Sequence, residues 1–124
     1  MTGPRSCAAP DPNPKRPDFV PPPRACDSHC HVFGPADRFP YHPDRRYTPP
    51  DAPFARLRAL HRFLGFDRAV MVQATCHGDD NRALVDGLRD GAGAYKGIVM
   101  VGPEVSEAEL AAMTEAGVCG ARFA

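Results

Sequence analysis

Five side chains carry the candidate chemistry of this sequence. His29 and His31 form a His-x-His pair within Ala25–Gly34. On a strand, residues i and i+2 face the same way, so both imidazoles leave together at its C-terminal end, before the Gly34-Pro35 break. Two nitrogen bases side by side hold a metal, polarise a carbonyl or relay a proton. Tyr47 adds a phenol from a long loop, with Arg45 and Arg46 near it; Thr75 adds a hydroxyl, flanked by Gln73 and His77; Arg122 adds a guanidinium. Arginine grips carboxylates in a two-pronged fork, and imidazole polarises a carbonyl where negative charge develops. A bare His-x-His is more often a pair of polar residues on an edge strand. Arg122 within an apolar strand shifts the weight, because a buried guanidinium is costly without a partner. A ligand carboxylate would be such a partner, so the set suits an anionic, oxygen-rich substrate.

These groups need a frame that brings distant residues to one rim. Strands are predicted at about Ala25–His31, Arg68–Gln73, Lys96–Val101 and from Val118 to Ala124. The nearly continuous apolar runs in the middle two read as strands covered on both faces. Asp51 reads as the N-cap of a first helix, with Pro53 in its first turn and Phe54, Leu57, Leu60, His61 and Leu64 at helical spacing before Gly65. His61 falls on that apolar side and reads as packed or half-exposed, not as a ligand. A second helix is predicted over Asn81–Asp90, with Leu84, Val85 and Leu88 inward. A third opens on the capping box Ser106-Glu-Ala-Glu109 and closes at Gly117. Strands alternating with helices imply parallel pairing with right-handed crossovers. An open doubly wound sheet and a (β/α)8 barrel both fit, and both place active groups at the C-terminal ends of strands. No glycine-rich phosphate loop follows the first strand, which counts against a nucleotide-binding open sheet. Such a barrel takes about 250 residues. Taken as a barrel, the 124 residues would supply its N-terminal half, about four strands and three helices in residues 25–124. Residues 1–24, with eight of the 15 prolines, form an arm that is disordered or lies over the surface.

Composition narrows the partners. Lysine plus arginine and aspartate plus glutamate number 15 each, which gives no basic excess for nucleic acid. No apolar run approaches a membrane span. The five cysteines are odd in number and include no Cys-x-x-Cys pair, as expected for reduced thiols in a cytoplasmic protein.

Four stretches, in order, resemble the amidohydrolase superfamily, and within it the 2-pyrone-4,6-dicarboxylate lactonase branch. They are Asp27-Ser-His-Cys-His-Val-Phe-Gly34, Tyr47-Thr-Pro-Pro50, Val72-Gln-Ala-Thr-Cys-His-Gly78 with Asp80-Asn81, and Gly120-Ala-Arg-Phe123. The resemblance implies a (β/α)8 barrel that opens a cyclic ester carrying two carboxylates during breakdown of aromatic compounds. By the same resemblance His29 and His31 are catalytic and face the ester carbonyl, Tyr47, Thr75 and Arg122 hold the substrate, and no metal is needed. It also implies that a later histidine and a water-activating aspartate lie beyond residue 124, in the half of the barrel this chain lacks. Ala124 departs from the asparagine usual there. Two other readings stay open: a metal-dependent amidohydrolase or decarboxylase with zinc on His29 and His31, and a non-catalytic fragment.

Overall fold

The structure is a computed structural model and describes residues 3–123. In the arm, β1 (Arg5–Ser6) pairs in parallel with β3 (Tyr47–Thr48). The main sheet has four parallel strands in the order β2 (Cys26–Cys30), β4 (Arg68–Val72), β5 (Tyr95–Val99) and β6 (Val118–Ala121). Helices α1 (Phe54–Leu64), α2 (Arg82–Asp90) and α3 (Glu107–Ala116) are the crossovers between them. This is the N-terminal part of a (β/α)8 barrel. β6 ends at Ala121, so the expected strand is shorter than predicted; residue 124 lies outside the described residues.

Right-handed crossovers wound in one direction put every helix on the same side of the sheet. That side holds the core: Ala69, Met71, Tyr95 and Val99 meet Phe54, Ala83, Leu84 and Leu88. Gly97 belongs to this layer. A Cβ there would come within 2.8 Å of both Leu84 and Leu88, so a side chain at this position would push α2 off β5. The opposite face departs from the expectation of a sheet covered on both sides. Val70, Ile98 and Gly120 are only half-buried there, and Lys96 is exposed. The apolar runs suggested double coverage; among the described residues this face is covered at Val72, 6% exposed, and left partly open at Val70 and Ile98.

Local chemistry explains three of the six helix ends. Ser106 Oγ accepts from the Glu109 N–H at 3.0 Å, as the capping box requires. Gly65 and Gly117 close α1 and α3 with φ of 92° and 118°, where glycine carries no Cβ penalty. Asp51 does not cap α1: Pro53 holds the N-cap position, and the Asp51 carboxylate instead accepts from Tyr41 O–H at 2.9 Å and Ala36 N–H at 3.2 Å. Among the described residues no helix is long and apolar enough to cross a membrane. All five cysteines are free.

Leu84 is 1% exposed and Leu110, on the weakly covered α3, is 42% exposed. Leu84→Ala should therefore cost about 2–5 kcal/mol and Leu110→Ala less than about 1 kcal/mol, read from urea unfolding midpoints.

Candidate active site

The last residues of β4 organise the rim. Gln73 N–H donates to Ile98 O at 2.7 Å, so the Gln73 backbone faces β5. Successive residues of a strand address opposite neighbours, so the Val72 carbonyl faces β2. Each carbonyl takes a charged or chargeable side chain from the strand it faces or the one beyond. His31 Nδ1 lies 2.7 Å from Val72 O. Arg122 N–H extends the β5–β6 ladder to Val99 O at 2.8 Å, and its guanidinium reaches past β5 to Gln73 O at 3.2 Å. His31 and Arg122 thus stand on consecutive carbonyls of one strand. No carboxylate pairs with Arg122 among the described residues, and one backbone carbonyl leaves most of its donors for a ligand.

On the β2 side, His29 and His31 meet edge to face with ring centroids 5.1 Å apart. The series continues through Phe33, 5.9 Å from His31, to Tyr47, 6.4 Å from Phe33. Positions 29, 31 and 33 therefore lie in one aromatic row that ends at the Tyr47 phenol. That phenol lies beside Thr75 and Cys76; burial, then the Cys76 thiol, push it above its ordinary range. Thr75 is exposed at the start of a 3-10 turn, Thr75–His77. Gln73 fixes this loop by donating from its amide to Gly78 O at 2.9 Å and Asp80 O at 2.8 Å.

The five predicted site residues thus fall into two linked groups: His29, His31 and Arg122 around the end of β4, and Tyr47 with Thr75 where the long loop meets the turn. Gln73 and His77 do not reach the rim with their side chains. Both are buried; His77 packs on Tyr41 at 4.9 Å and its Nε2 accepts from Gly34 N–H at 3.1 Å. Its Nδ1 makes no hydrogen bond of good geometry, although the Pro40 carbonyl lies close enough to favour the protonated ring. Arg45 is half-buried and turned into the loop; it donates to Thr48 Oγ1 at 2.8 Å and His42 O at 3.0 Å. Arg46 is exposed. Phe33 escaped the sequence reading, although its place two residues after His31 was the signal.

Electrostatics sets the state of His31. Burial lowers its affinity for a proton, and His29 and Arg122 act in the same direction, against the favourable Val72 carbonyl. With Nδ1–H donated to Val72, Nε2 is the ring atom left for a ligand. This is how a metal-bound histidine is also oriented. A catalytic zinc site takes three protein ligands. Among the described residues no third histidine, cysteine, aspartate or glutamate groups with His29 and His31. The described residues thus supply two of the three ligands such a site takes.

The amidohydrolase family model matches residues 26–124, and the chain belongs to that family. It is 52% identical over 111 residues to a 2-pyrone-4,6-dicarboxylate hydrolase of Comamonas testosteroni, covering 90% of this chain and 36% of that protein. It is 43% identical to a 4-sulfomuconolactone hydrolase of Hydrogenophaga intermedia, again covering 90% of this chain and 36% of the relative. A crystal structure from Pseudomonas putida, described as a putative 2-pyrone-4,6-dicarboxylic acid hydrolase, superimposes with a TM-score of 0.66 at 36% identity, covering 81% of this chain and 36% of that one. The chain spans little more than a third of the length of these relatives.

His77 is 2% exposed, and burial lowers its proton affinity. The unfolded chain then binds more protons than the folded one, so stability rises with pH through this window. Stability should fall as pH drops below the ordinary histidine value of about 6.5, and His77→Gln should flatten that slope, as read from urea midpoints between about pH 5 and 8.

Proposed function

We propose that this chain provides the substrate-binding rim of a lactonase that opens a cyclic ester bearing carboxylates, of the 2-pyrone-4,6-dicarboxylate kind, in the cytoplasmic degradation of aromatic compounds. The observation that carries the reading is the placing of His31 and Arg122 on the consecutive carbonyls of Val72 and Gln73. An imidazole and a guanidinium held that way meet an ester carbonyl and a ring carboxylate of one small molecule. The relatives named for lactone hydrolysis support the same substrate class.

In the proposed reaction, Arg122 forks onto one carboxylate, while the Tyr47 phenol and Thr75 hydroxyl hydrogen-bond the substrate from the opposite side. His29 and His31 face the scissile carbonyl. Water adds to that carbon, an N–H from the histidine pair holds the oxygen as charge develops, and the ring C–O bond breaks. The product is an open-chain unsaturated acid. A base that activates the water is not among these five residues; the resemblance places it in the part of the barrel beyond this chain.

His31 is biased toward its neutral form in the free protein, mainly by burial. A ligand with two negative charges reverses that bias, because nearby anions favour imidazolium. The protonated ring then donates from Nε2 while Nδ1 keeps its bond to Val72. Binding should therefore be accompanied by proton uptake, and affinity should fall as pH rises. Titration calorimetry with 2-pyrone-4,6-dicarboxylate in two buffers of different ionisation heat checks this. Arg122→Met should weaken the affinity by about 10- to 100-fold, the loss expected for hydrogen bonds to a charged group. Absence of binding to the unaltered chain would overturn the reading and favour a non-catalytic fragment.

The proposal needs no metal, with Arg122 supplying the positive charge. A second reading puts zinc on His29 and His31 in a metal-dependent hydrolase or decarboxylase. The orientation of His31 on Val72 favours it. Hydrolysis by the protein carrying the remaining barrel, measured by loss of lactone absorbance with excess chelator, separates the two: persistence supports the first, and loss restored by zinc supports the second.

A further inference from the structure

Behind the histidine pair, on the helix side of the sheet, lies a chain of polar groups that the proposed reaction does not use. Tyr95 on β5 and His61 on α1 are 5% and 2% exposed. Tyr95 Oη is 2.8 Å from His61 Nδ1, and His61 Nε2 is 2.9 Å from Asp27 Oδ2. The second carboxylate oxygen, Oδ1, accepts from the backbone N–H of His29 at 3.2 Å. A carboxylate only accepts, so Nε2 carries the proton and, in the neutral ring, Nδ1 accepts from the Tyr95 hydroxyl. Three elements, β5, α1 and β2, are thereby joined to the backbone of a predicted catalytic residue.

The place where the chain of bonds arrives is irregular. Between Asp27 and Cys30 the β2–β4 register shifts. Strict alternation would put Asp27 on the same face as His29 and His31. Instead the carboxylate points into the helix layer, with His61 and Cys30, while the two imidazoles stay together on the rim. A bulge re-aims side chains in this manner and needs something to hold it.

Asp27, Cys30 and His61 also bring their ligand atoms within 4.8 Å of one another. Each is already committed within the protein. The Cys30 thiol donates to Val70 O at 3.4 Å, and burial, with Asp27 next in effect, pushes it up to about 12, far from a thiolate. The cluster reads as a closed polar bridge, not as a cation site.

We propose that Asp27 is the positioning residue of the histidine pair: its carboxylate, oriented by His61 and Tyr95, holds the β2 bulge and so aims His29 and His31 at one point on the rim. What the pair then does rests on the lactonase reading; the bridge does not. The test is made on the full chain by nuclear magnetic resonance at one pH, following amide hydrogen exchange at His29 and the imidazole nitrogen signals of His29 and His31. Asp27→Leu should speed exchange at the His29 amide by about tenfold, as expected for loss of one hydrogen bond to a charged acceptor, and shift both imidazole signals. Amides of α2 should keep their protection, which a general loss of stability would not allow. Asp27→Asn offers an acceptor to His29 and a donor to His61, and should restore exchange to within about threefold of the unaltered chain. Unchanged His29 signals in Asp27→Leu, or an Asn variant no better than Leu, would overturn the proposal. If Asp27→Leu does not fold, Tyr95→Phe decides: removal of the hydroxyl should move the His61 and His29 ring signals together, and an unmoved His29 overturns the bridge. Adding 2-pyrone-4,6-dicarboxylate to the unaltered chain separates the two ideas. Failure to bind sinks the lactonase reading alone, and unmoved His29 signals in the variants sink the bridge alone.

Discussion

The histidine, arginine and Thr75 side of the rim depends on where β4 ends. The carbonyls of its last residue, Val72, and of Gln73 just after it point in opposite directions, and each fixes one charged or chargeable side chain: His31 on Val72, Arg122 on Gln73. The spacing between imidazole and guanidinium is therefore set by the rigid geometry of a single peptide unit, not by two flexible side chains finding each other. The same residue, Gln73, holds the Thr75 turn with its side-chain amide. One strand end thus anchors groups that lie 91 positions apart in the chain, from His31 to Arg122. This is the advantage of a parallel sheet for building sites, since all its strands finish on the same side.

Much of this frame was legible in the sequence, for identifiable reasons. The four main strands and three helices announce themselves through short apolar runs, helical spacing of leucines, the Ser106 capping box and the glycines at 65 and 117. Where the reading failed, tertiary partners decided. Asp51 looks like a cap but finds Tyr41 and Ala36 instead, while a proline takes the capping position. Gln73 and His77 look like rim residues because they follow a strand; a 3-10 turn, invisible in the residue pattern, buries both. Val-Met-Val and Ile-Val-Met-Val runs read as doubly covered strands, yet on the face away from the helices Val72 is buried while Val70, Ile98 and Met100 are only half-buried. The clustering of His29, His31 and Arg122 was foreseeable from topology. Their attachment to particular carbonyls was not, because backbone acceptors leave no trace in residue identity.

The two faces of the sheet have different duties. The helix side is packed by Met71, Leu84, Leu88 and Val99, and it encloses the Tyr95–His61–Asp27 chain. A buried polar network is costly unless every member is satisfied, and here each ring nitrogen of His61 and each oxygen of Asp27 has a partner. The single histidine on the apolar face of α1 carried this information at the outset. A core position given to an imidazole signals a buried partner, even when the sequence does not say which.

The two-residue ribbon at the start of the chain has a consequence for the far wall of the rim. Arg5 and Ser6 lie against Tyr47 and Thr48, and backbone bonds from Arg5 and Cys7 to Arg46 and Thr48 complete the attachment. The phenol is thus tethered by a segment that belongs to no helix or strand of the barrel and pairs over only two residues. Of all the groups at the rim, it is the one whose placement can loosen while the sheet and its helices remain intact. The same arm runs on to α1, where Arg16 donates to Phe63 O at 2.9 Å, so the ribbon joins this wall to the helix layer from outside the barrel.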